Sequence, residues 1–296
     1  MTSRAESRDH MNSRFRRFAI VLGMLAILMA VPGKAGAPEY RSIFVVAVSG
    51  DAMVARQGLS REMFAYEGMK LQDGDVVTTP AGSGLVLKLD DDKYEYLEPD
   101  TQLEIVAAGG PGNTMTTIRL MKGAVSSAIQ QKLGPGETFS VTVDNVSMVV
   151  RGTVFRVVLG TDGEGNSTVI VQTVEGEVGI NTGSGEEHSL GCGLQAEVLF
   201  TEDGGMLGGA DEPIHYEDLP EETRNWLREV IRNQLNNTDD SEKRDALKAI
   251  LAAIDDNSPD NASENQTKKY KPTPRPKYTP KPTPQPNPQP NPEPET

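Results

Sequence analysis

Few residues in this 296-residue sequence have the types and spacing that catalysis or metal binding requires. The three histidines, His10, His188 and His215, lie far apart, and the single cysteine, Cys192, stands between glycines with no metal-ligating neighbour. A zinc or nucleophilic site needs several such residues close together. We therefore expect Cys192 to be a small, buried or half-buried residue and His188 to be a solvated residue at a strand end. No catalytic residue and no cofactor is predicted.

Two acidic segments carry carboxylates that could bind calcium. Asp162, Glu164 and Asn166 alternate as in an EF-hand loop, but the twelfth position would be Thr173, which cannot supply the bidentate carboxylate. The three aspartates at 90–92 could hold a calcium ion weakly. Because a charged hairpin turn explains each segment with fewer assumptions, both are predicted to be turns.

The charge of the chain is distributed unevenly along the sequence. The formal net charge is −14, yet residues 1–37 and residues 267–296 each carry six Lys or Arg and two Asp or Glu. Each end is therefore +4, which leaves −22 for residues 38–266. A body this acidic repels phosphate backbones, so we do not expect it to bind nucleic acid.

The N-terminal 37 residues have the layout of a secretory signal. The basic residues 14–17 precede a charge-free apolar run, 18–32, and Ala35-x-Ala37 follows. The run is shorter than the roughly 20 apolar residues of a membrane-spanning helix. We predict a cleaved signal peptide. A retained signal anchor is the alternative, because Pro38 disfavours cleavage after Ala37, although cleavage after Ala35 avoids it. Both place the acidic body outside the cytoplasm, with membrane contact only through this segment.

Residues 42–203 are predicted to form one β domain. Short apolar or alternating runs, each closed by Gly, Asp, Asn or Pro, are typical of many short strands joined by tight turns. Recurring glycines between the runs indicate strands that turn corners. The pattern predicts a mainly β fold, either solenoid-like or rolled.

One of these corners lies in the apolar run from Met148 to Val158. Arg151-Gly152-Thr153 interrupts the run, and Phe155 lies where the strand resumes. We expect Gly152 to allow a sharp bend and the Thr153 hydroxyl to tie it. Arg151 is expected to lay its guanidinium group across backbone carbonyls or an acid.

The chemistry of the chain changes after the β domain. Residues 216–256 show helix starts and apolar residues at helical spacing, which predicts two amphipathic helices. The face that carries Trp226 is expected to pack on the β domain or on the sister helix, with a free partner-binding pair as the alternative. Residues 257–296 are predicted to be disordered, because eleven of the twenty prolines lie after Lys269. This tail is either a solvated extension or a basic tether that touches an anionic envelope polymer.

Several segments resemble the FecR domain family, in the order in which the family has them. The hexad from Val150 to Phe155 is the most specific of these segments. The others are weaker individually: residues 67–79, 84–89, 97–103, 120–125, 139–143 and 174–178. The resemblance covers roughly residues 45–200.

The resemblance implies an extracytoplasmic β module without enzymatic activity. The best-known members of the family relay a signal from an outer-membrane receptor to a cytoplasmic sigma factor, through an anti-sigma segment of several tens of residues before their membrane span. Only seventeen residues precede the apolar run in this sequence, so we expect that role not to carry over. The predicted function is an exported binding or structural module of the cell envelope, whose partner is a protein or an envelope polymer. A single-pass sensor that relays an envelope signal to a partner is the alternative.

Overall fold

The computed structural model describes residues 41–110, 112–183, 187–201 and 204–255. These residues form seventeen strands, a 3-10 turn (Tyr216–Asp218) and two helices, α1 (Glu221–Asn237) and α2 (Ser241–Asp255). The strands are β1 (Ile43–Ser49), β2 (Met53–Ala55), β3 (Met63–Phe64), β4 (Val76–Thr79), β5 (Gly84–Leu89), β6 (Lys93–Leu97), β7 (Thr101–Ala108), β8 (Met115–Ile129), β9 (Thr138–Val143), β10 (Val146–Val150), β11 (Val154–Thr161), β12 (Ser167–Glu175), β13 (Glu177–Asn181), β14 (Glu187–Gly191), β15 (Leu194–Thr201), β16 (Gly204–Leu207) and β17 (Glu212–Pro213).

The strands pair into two sheets. The first sheet has the order β1-β5-β6-β8-β11-β12-β15, with β16 and β17 both paired to β15. The second sheet has the order β3-β2-β4-β7-β8-β9-β10-β13-β14. All of these pairs are antiparallel except β8 with β9, which is parallel.

Strand β8 belongs to both sheets and bends between them at Gly123. Its first half pairs with β7 and β9, and its second half pairs with β6 and β11. Gly123 has a φ of +80°, and a Cβ there would lie 2.6 Å from the Asp100 carbonyl oxygen. Only glycine fits this bend, which folds one long strand over the core.

The main core lies between the two sheets. Alternating residues of each strand point inward, as in β1, where Ile43 and Val45 are buried, and in β9, where Phe139 and Val141 are buried. One continuous apolar cluster joins such residues from both sheets. The alternation read from the sequence therefore fixes which face of each strand is inside.

The helices cover the outer face of the first sheet. A second apolar cluster joins residues of β5, β6 and β12 to both helices. At its centre the Trp226 ring stacks on the Tyr96 ring, with 5.8 Å between ring centroids. The sequence-based expectation that the Trp226 face packs on the β domain is thus what the structure shows.

The predicted mainly β fold with a C-terminal helical pair is confirmed. The rolled alternative matches the structure, because solenoid coils stack strands in parallel and these ladders are almost all antiparallel. The β structure continues past residue 203 into β16 and β17. The predicted signal segment, 1–37, and tail, 257–296, lie outside the described residues. In the described part of the chain, no helix has the length and apolarity that a membrane crossing requires.

One carboxyl group lies inside the main core. Glu95 of β6 is fully buried and is paired across the sheet with Leu87 and Ser127. The Ser127 hydroxyl donates to Oε2 at 2.5 Å, and Oε1 has no hydrogen-bond partner among the described residues. Burial raises the pKa of Glu95 well above its ordinary value, and the bond from Ser127 only partly opposes this. Burial therefore favours the protonated form of this carboxyl group in the folded protein.

The buried acid predicts that Glu95→Gln flattens the pH dependence of stability. As pH rises past the ordinary value of 4.5, the unfolded chain loses this proton while the folded chain keeps it. The parent then loses about 1.4 kcal/mol of unfolding free energy per pH unit, until the raised pKa is reached. Denaturant melts of parent and variant at several pH values from mildly acidic to neutral measure this difference.

The exposed Glu164→Gln is the matched control and should leave the pH dependence of the parent unchanged. Parallel pH profiles for the parent and Glu95→Gln would show that Glu95 is not held as a neutral acid.

Candidate functional site

The Arg-Gly-Thr corner carries the chain from the second sheet to the first. Strand β10 ends at Val150 and β11 begins at Val154. Gly152 has a φ of +148°, and a Cβ there would lie 3.2 Å from the Lys132 Cα. The Thr153 hydroxyl donates to the Glu177 carbonyl oxygen at 3.0 Å, which ties the corner to β13.

The two flanking side chains of the corner have opposite environments. Phe155 is completely buried in the main core. Arg151 is exposed. Among the described residues, its guanidinium group has no hydrogen-bond or ion-pair partner. Only its carbonyl oxygen is used, as acceptor for the Leu133 amide at 2.8 Å. The expectation that the Arg151 side chain lies across carbonyls or an acid therefore differs from the structure, because the corner directs it into solvent.

Both acidic segments form the hairpin turns predicted from the sequence. Asp162 Oδ1 accepts hydrogen bonds from the amides of Glu164 and Asn166, each at 2.8 Å, between β11 and β12. The hydrogen bond from the Asn166 side chain is the main cause that lowers the pKa of Asp162. In the other turn, Asp90 and Asp92 form ion pairs with Lys93. Among the residues that the structure describes, no three His, Cys, Asp or Glu side chains are grouped as a metal site needs.

The histidines and the cysteine lie in separate environments. His188 is half-buried, with Nε2 2.7 Å from Asp211 Oδ1, so it is not simply solvated. Cys192 lies in the turn between β14 and β15, and its thiol donates to the Val174 carbonyl oxygen at 3.2 Å. Burial raises the pKa of Cys192 to about 11. It therefore stays a thiol at neutral pH, which makes it a poor nucleophile.

A buried polar row on the outer face of the first sheet was not found from the sequence. Arg156 forms a two-point ion pair with Glu98, with N–O distances of 2.6 and 2.8 Å. Its third nitrogen donates to Gln172 Oε1 at 3.0 Å, and Gln172 donates to Gln195 at 2.8 Å. Because every member has a partner, the row is a structural link across β11, β12 and β15. The charge of Arg156 within an apolar run was the available signal.

Exposed apolar side chains are concentrated in residues 59–67, the aromatic segment, which contains β3 at the edge of the second sheet. Leu59, Phe64 and Tyr66 are 56%, 65% and 63% exposed. Four other large apolar side chains among the described residues are 39–56% exposed, and they lie on β8, β10 and β16. Grouped exposed aromatic side chains are common in interaction surfaces, which makes this segment a candidate for one.

The aromatic segment is held firmly at both ends. Arg56 donates to both carboxylate oxygens of Asp75, at 3.2 and 3.0 Å, and to the Lys70 carbonyl oxygen at 2.8 Å. The Ala65 amide donates to the Ala52 carbonyl oxygen at 2.8 Å. Cross-strand pairing places Phe64 beside Met53. The backbone that carries the exposed rings is therefore held in place by these hydrogen bonds. The exposure of the rings was not predicted from the sequence.

A comparison with protein families assigns the central part of the chain. Residues 75–179 match the family model described as FecR protein. The chain contains a FecR domain. No curated protein matches the chain.

Solved structures were also compared with the chain. Two crystal structures of a candidate anti-sigma factor from Parabacteroides distasonis ATCC 8503, at 1.65 and 2.50 Å resolution, each match with 17% sequence identity and a TM-score of 0.39. The alignments cover 52% of this chain and 64%, less than two thirds, of the neighbour.

The FecR match includes the Arg-Gly-Thr corner but not the aromatic segment. The matched residues run from Asp75, before β4, to Gly179 in β13. Asp75 is also the carboxylate that anchors Arg56. The aromatic segment thus lies outside the matched residues, and Arg56, which precedes it, is bound to the first residue of the FecR match.

The corner geometry predicts that Gly152→Val destabilises the FecR domain by about 1–3 kcal/mol. The added side chain meets the backbone of Lys132, a residue of the β8–β9 connection. The matched control is Gly163→Val, because a Cβ at Gly163 has no atom within 4 Å. Urea melts of the two variants measure the difference. Equal midpoints for both would show that the corner tolerates a side chain.

Proposed function

We propose that this protein is an exported, non-enzymatic binding module with a signalling-related role in the cell envelope. The FecR match over residues 75–179 carries the proposal. The aromatic segment supports a binding role, since it presents Phe64 and Tyr66 on a frame fixed to Asp75. The partner is a protein, because exposed aromatic side chains are typical of the central contacts of protein–protein interfaces.

The N-terminal residues support export. A basic stretch, 14–17, a charge-free run, 18–32, and Ala35-x-Ala37 form the pattern of a secretory signal. The folded domain starts soon after this pattern, because Arg41 already donates to the carbonyl oxygens of Ala108, at the end of β7, and Met115, at the start of β8, at 2.6 and 2.7 Å. Removal of the signal therefore leaves Arg41 and its contacts in place.

The export proposal is tested by the N-terminal sequence and mass of the protein recovered from its own cell envelope. We expect a start at Gly36 or Pro38, which corresponds to cleavage after Ala35 or Ala37. An intact start at Met1 in the membrane fraction would contradict release.

A second candidate function is a single-pass membrane sensor that passes an envelope signal to a partner. The charge-free run at 18–32 behind basic residues favours it, as does Pro38 directly after Ala37. In that case the FecR domain remains outside the cytoplasm while residues 1–17 face the cytoplasm. The same measurement of the N-terminus separates the two functions, because only the sensor keeps residues 1–37.

The binding role predicts that the double variant Phe64→Ser, Tyr66→Ser loses its partner. Central aromatic residues of an interface commonly contribute 2 kcal/mol or more, so we expect about a thirtyfold loss of affinity. A photo-crosslinking amino acid is placed at position 62, and the yield of the crosslinked partner is measured in living cells.

Exposed positions elsewhere provide the control for this double variant. Met115→Ser with Met206→Ser changes two side chains that are 56% and 55% exposed on other strands, and it should leave the yield unchanged. Both double variants should fold normally, since they change exposed side chains. Equal yields from both would contradict the aromatic segment as the binding surface.

A further inference from the structure

The aromatic segment leaves two carboxylates beside its exposed rings. Glu62 and Glu67 bracket Phe64 and Tyr66, and both are exposed. Among the described residues, neither carboxylate forms an ion pair. Phe64 ends β3, and Tyr66 follows two residues later, just before the turn at Glu67. The surface therefore combines exposed apolar rings with two carboxylates, and Arg61 is the one basic residue within 59–67.

The chain itself contains a segment with the complementary chemistry. Residues 268–281 carry six Lys or Arg, no Asp or Glu, and prolines at mostly alternate positions. Alternating proline favours the polyproline II conformation, which leaves proline rings available for contact and has little conformational entropy left to lose. Such segments dock on exposed aromatic side chains, and flanking basic residues meet carboxylates.

The spacing of the charges is compatible with this docking. Five residues of chain separate Glu62 from Glu67 by at most about 16 Å, and by less where Glu67 enters the turn that the Met69 amide closes on the Tyr66 carbonyl oxygen. In polyproline II, Lys271 and Lys277 are about 19 Å apart, with Arg275 between them. The flexible Lys side chains can absorb the difference, so basic groups reach both carboxylates while the intervening prolines cover the rings.

The connecting chain is long enough, and the overall charge favours the contact. From Asp255, the last described residue, sixteen residues lead to Lys271, which spans up to about 50 Å. A body of some 210 described residues has a radius of gyration of about 17 Å, so the span of the connecting chain is comparable with the dimensions of the body. Residues 267–296 carry +4 and residues 38–266 carry −22. Because the tail is tethered, even a weak intrinsic affinity keeps the site occupied.

We propose that the proline-rich tail, residues 268–281, docks on the aromatic segment of its own chain. This inference rests on the proposed role of the aromatic segment as the binding surface and adds its regulation. The tail occupies the surface until a partner displaces it. Tethered competition of this kind lowers the apparent affinity of the partner without any change in the FecR domain.

The test is a paramagnetic label in the tail of the full processed chain. A nitroxide is attached to Thr279→Cys in a Cys192→Ser background, and the backbone amide signals are recorded in dilute solution. We expect strong broadening of the amides at 62–67 and none at Met206. The double variant Phe64→Ser, Tyr66→Ser should restore the signals, whereas Met115→Ser should not.

Two results would overturn the inference. Unbroadened amides at 62–67 would show that the tail does not dock there. Broadening that disappears on dilution would show that the tail of a second copy is the occupant. The yield of the crosslinked partner is measured for the double variant in a separate experiment. If that yield falls while the amides stay unbroadened, the binding surface stands and only the tail docking fails.

Discussion

Every crossing of the chain between the two sheets interrupts a ladder of backbone hydrogen bonds, and the groups freed there need partners. Two crossings use the same pair of residue types. The Thr101 hydroxyl contacts both the amide and the carbonyl oxygen of Ala124, and the Thr153 hydroxyl donates to the Glu177 carbonyl oxygen. Opposite each threonine lies a glycine, Gly123 or Gly176, where any Cβ would collide with the backbone. The rolled architecture depends on these threonine–glycine corners, because they allow one core to be closed by strands that change sheets.

Strand β6 shows how the two faces of the first sheet are used. All five of its residues are buried, with Tyr96 under the helices and Glu95 in the main core. A strand buried on both faces must satisfy its polar groups within the protein. Ser127 does this for one oxygen of Glu95, and Arg156 does it for Glu98 just beyond the strand. At β6 the first sheet is thereby committed to internal packing on both of its faces.

The local parts of this fold could be predicted from the sequence, and the long-range parts could not. The alternating runs, the turns at 90–92 and 162–166 and the helical pair all depend on neighbouring residues. The Arg156–Glu98 pair joins residues 58 positions apart, and no local pattern specifies such a partner. The exposure of the Phe64 and Tyr66 rings was not predicted for a related reason. An apolar residue in or beside a strand is expected to be inside, but Phe64 lies in the edge strand β3, Tyr66 follows it, and both are exposed.

Arg41, the first described residue, has a mechanical consequence. Its guanidinium group bonds to the Ala108 and Met115 carbonyl oxygens of the second sheet and pairs with Asp90 in a turn of the first sheet. A pull on the preceding chain therefore loads both sheets at once, before it reaches the edge strand β1. The load is divided among several bonds that must break together, so the domain resists peeling strand by strand. Tension on the chain before Arg41 is therefore shared between the two sheets.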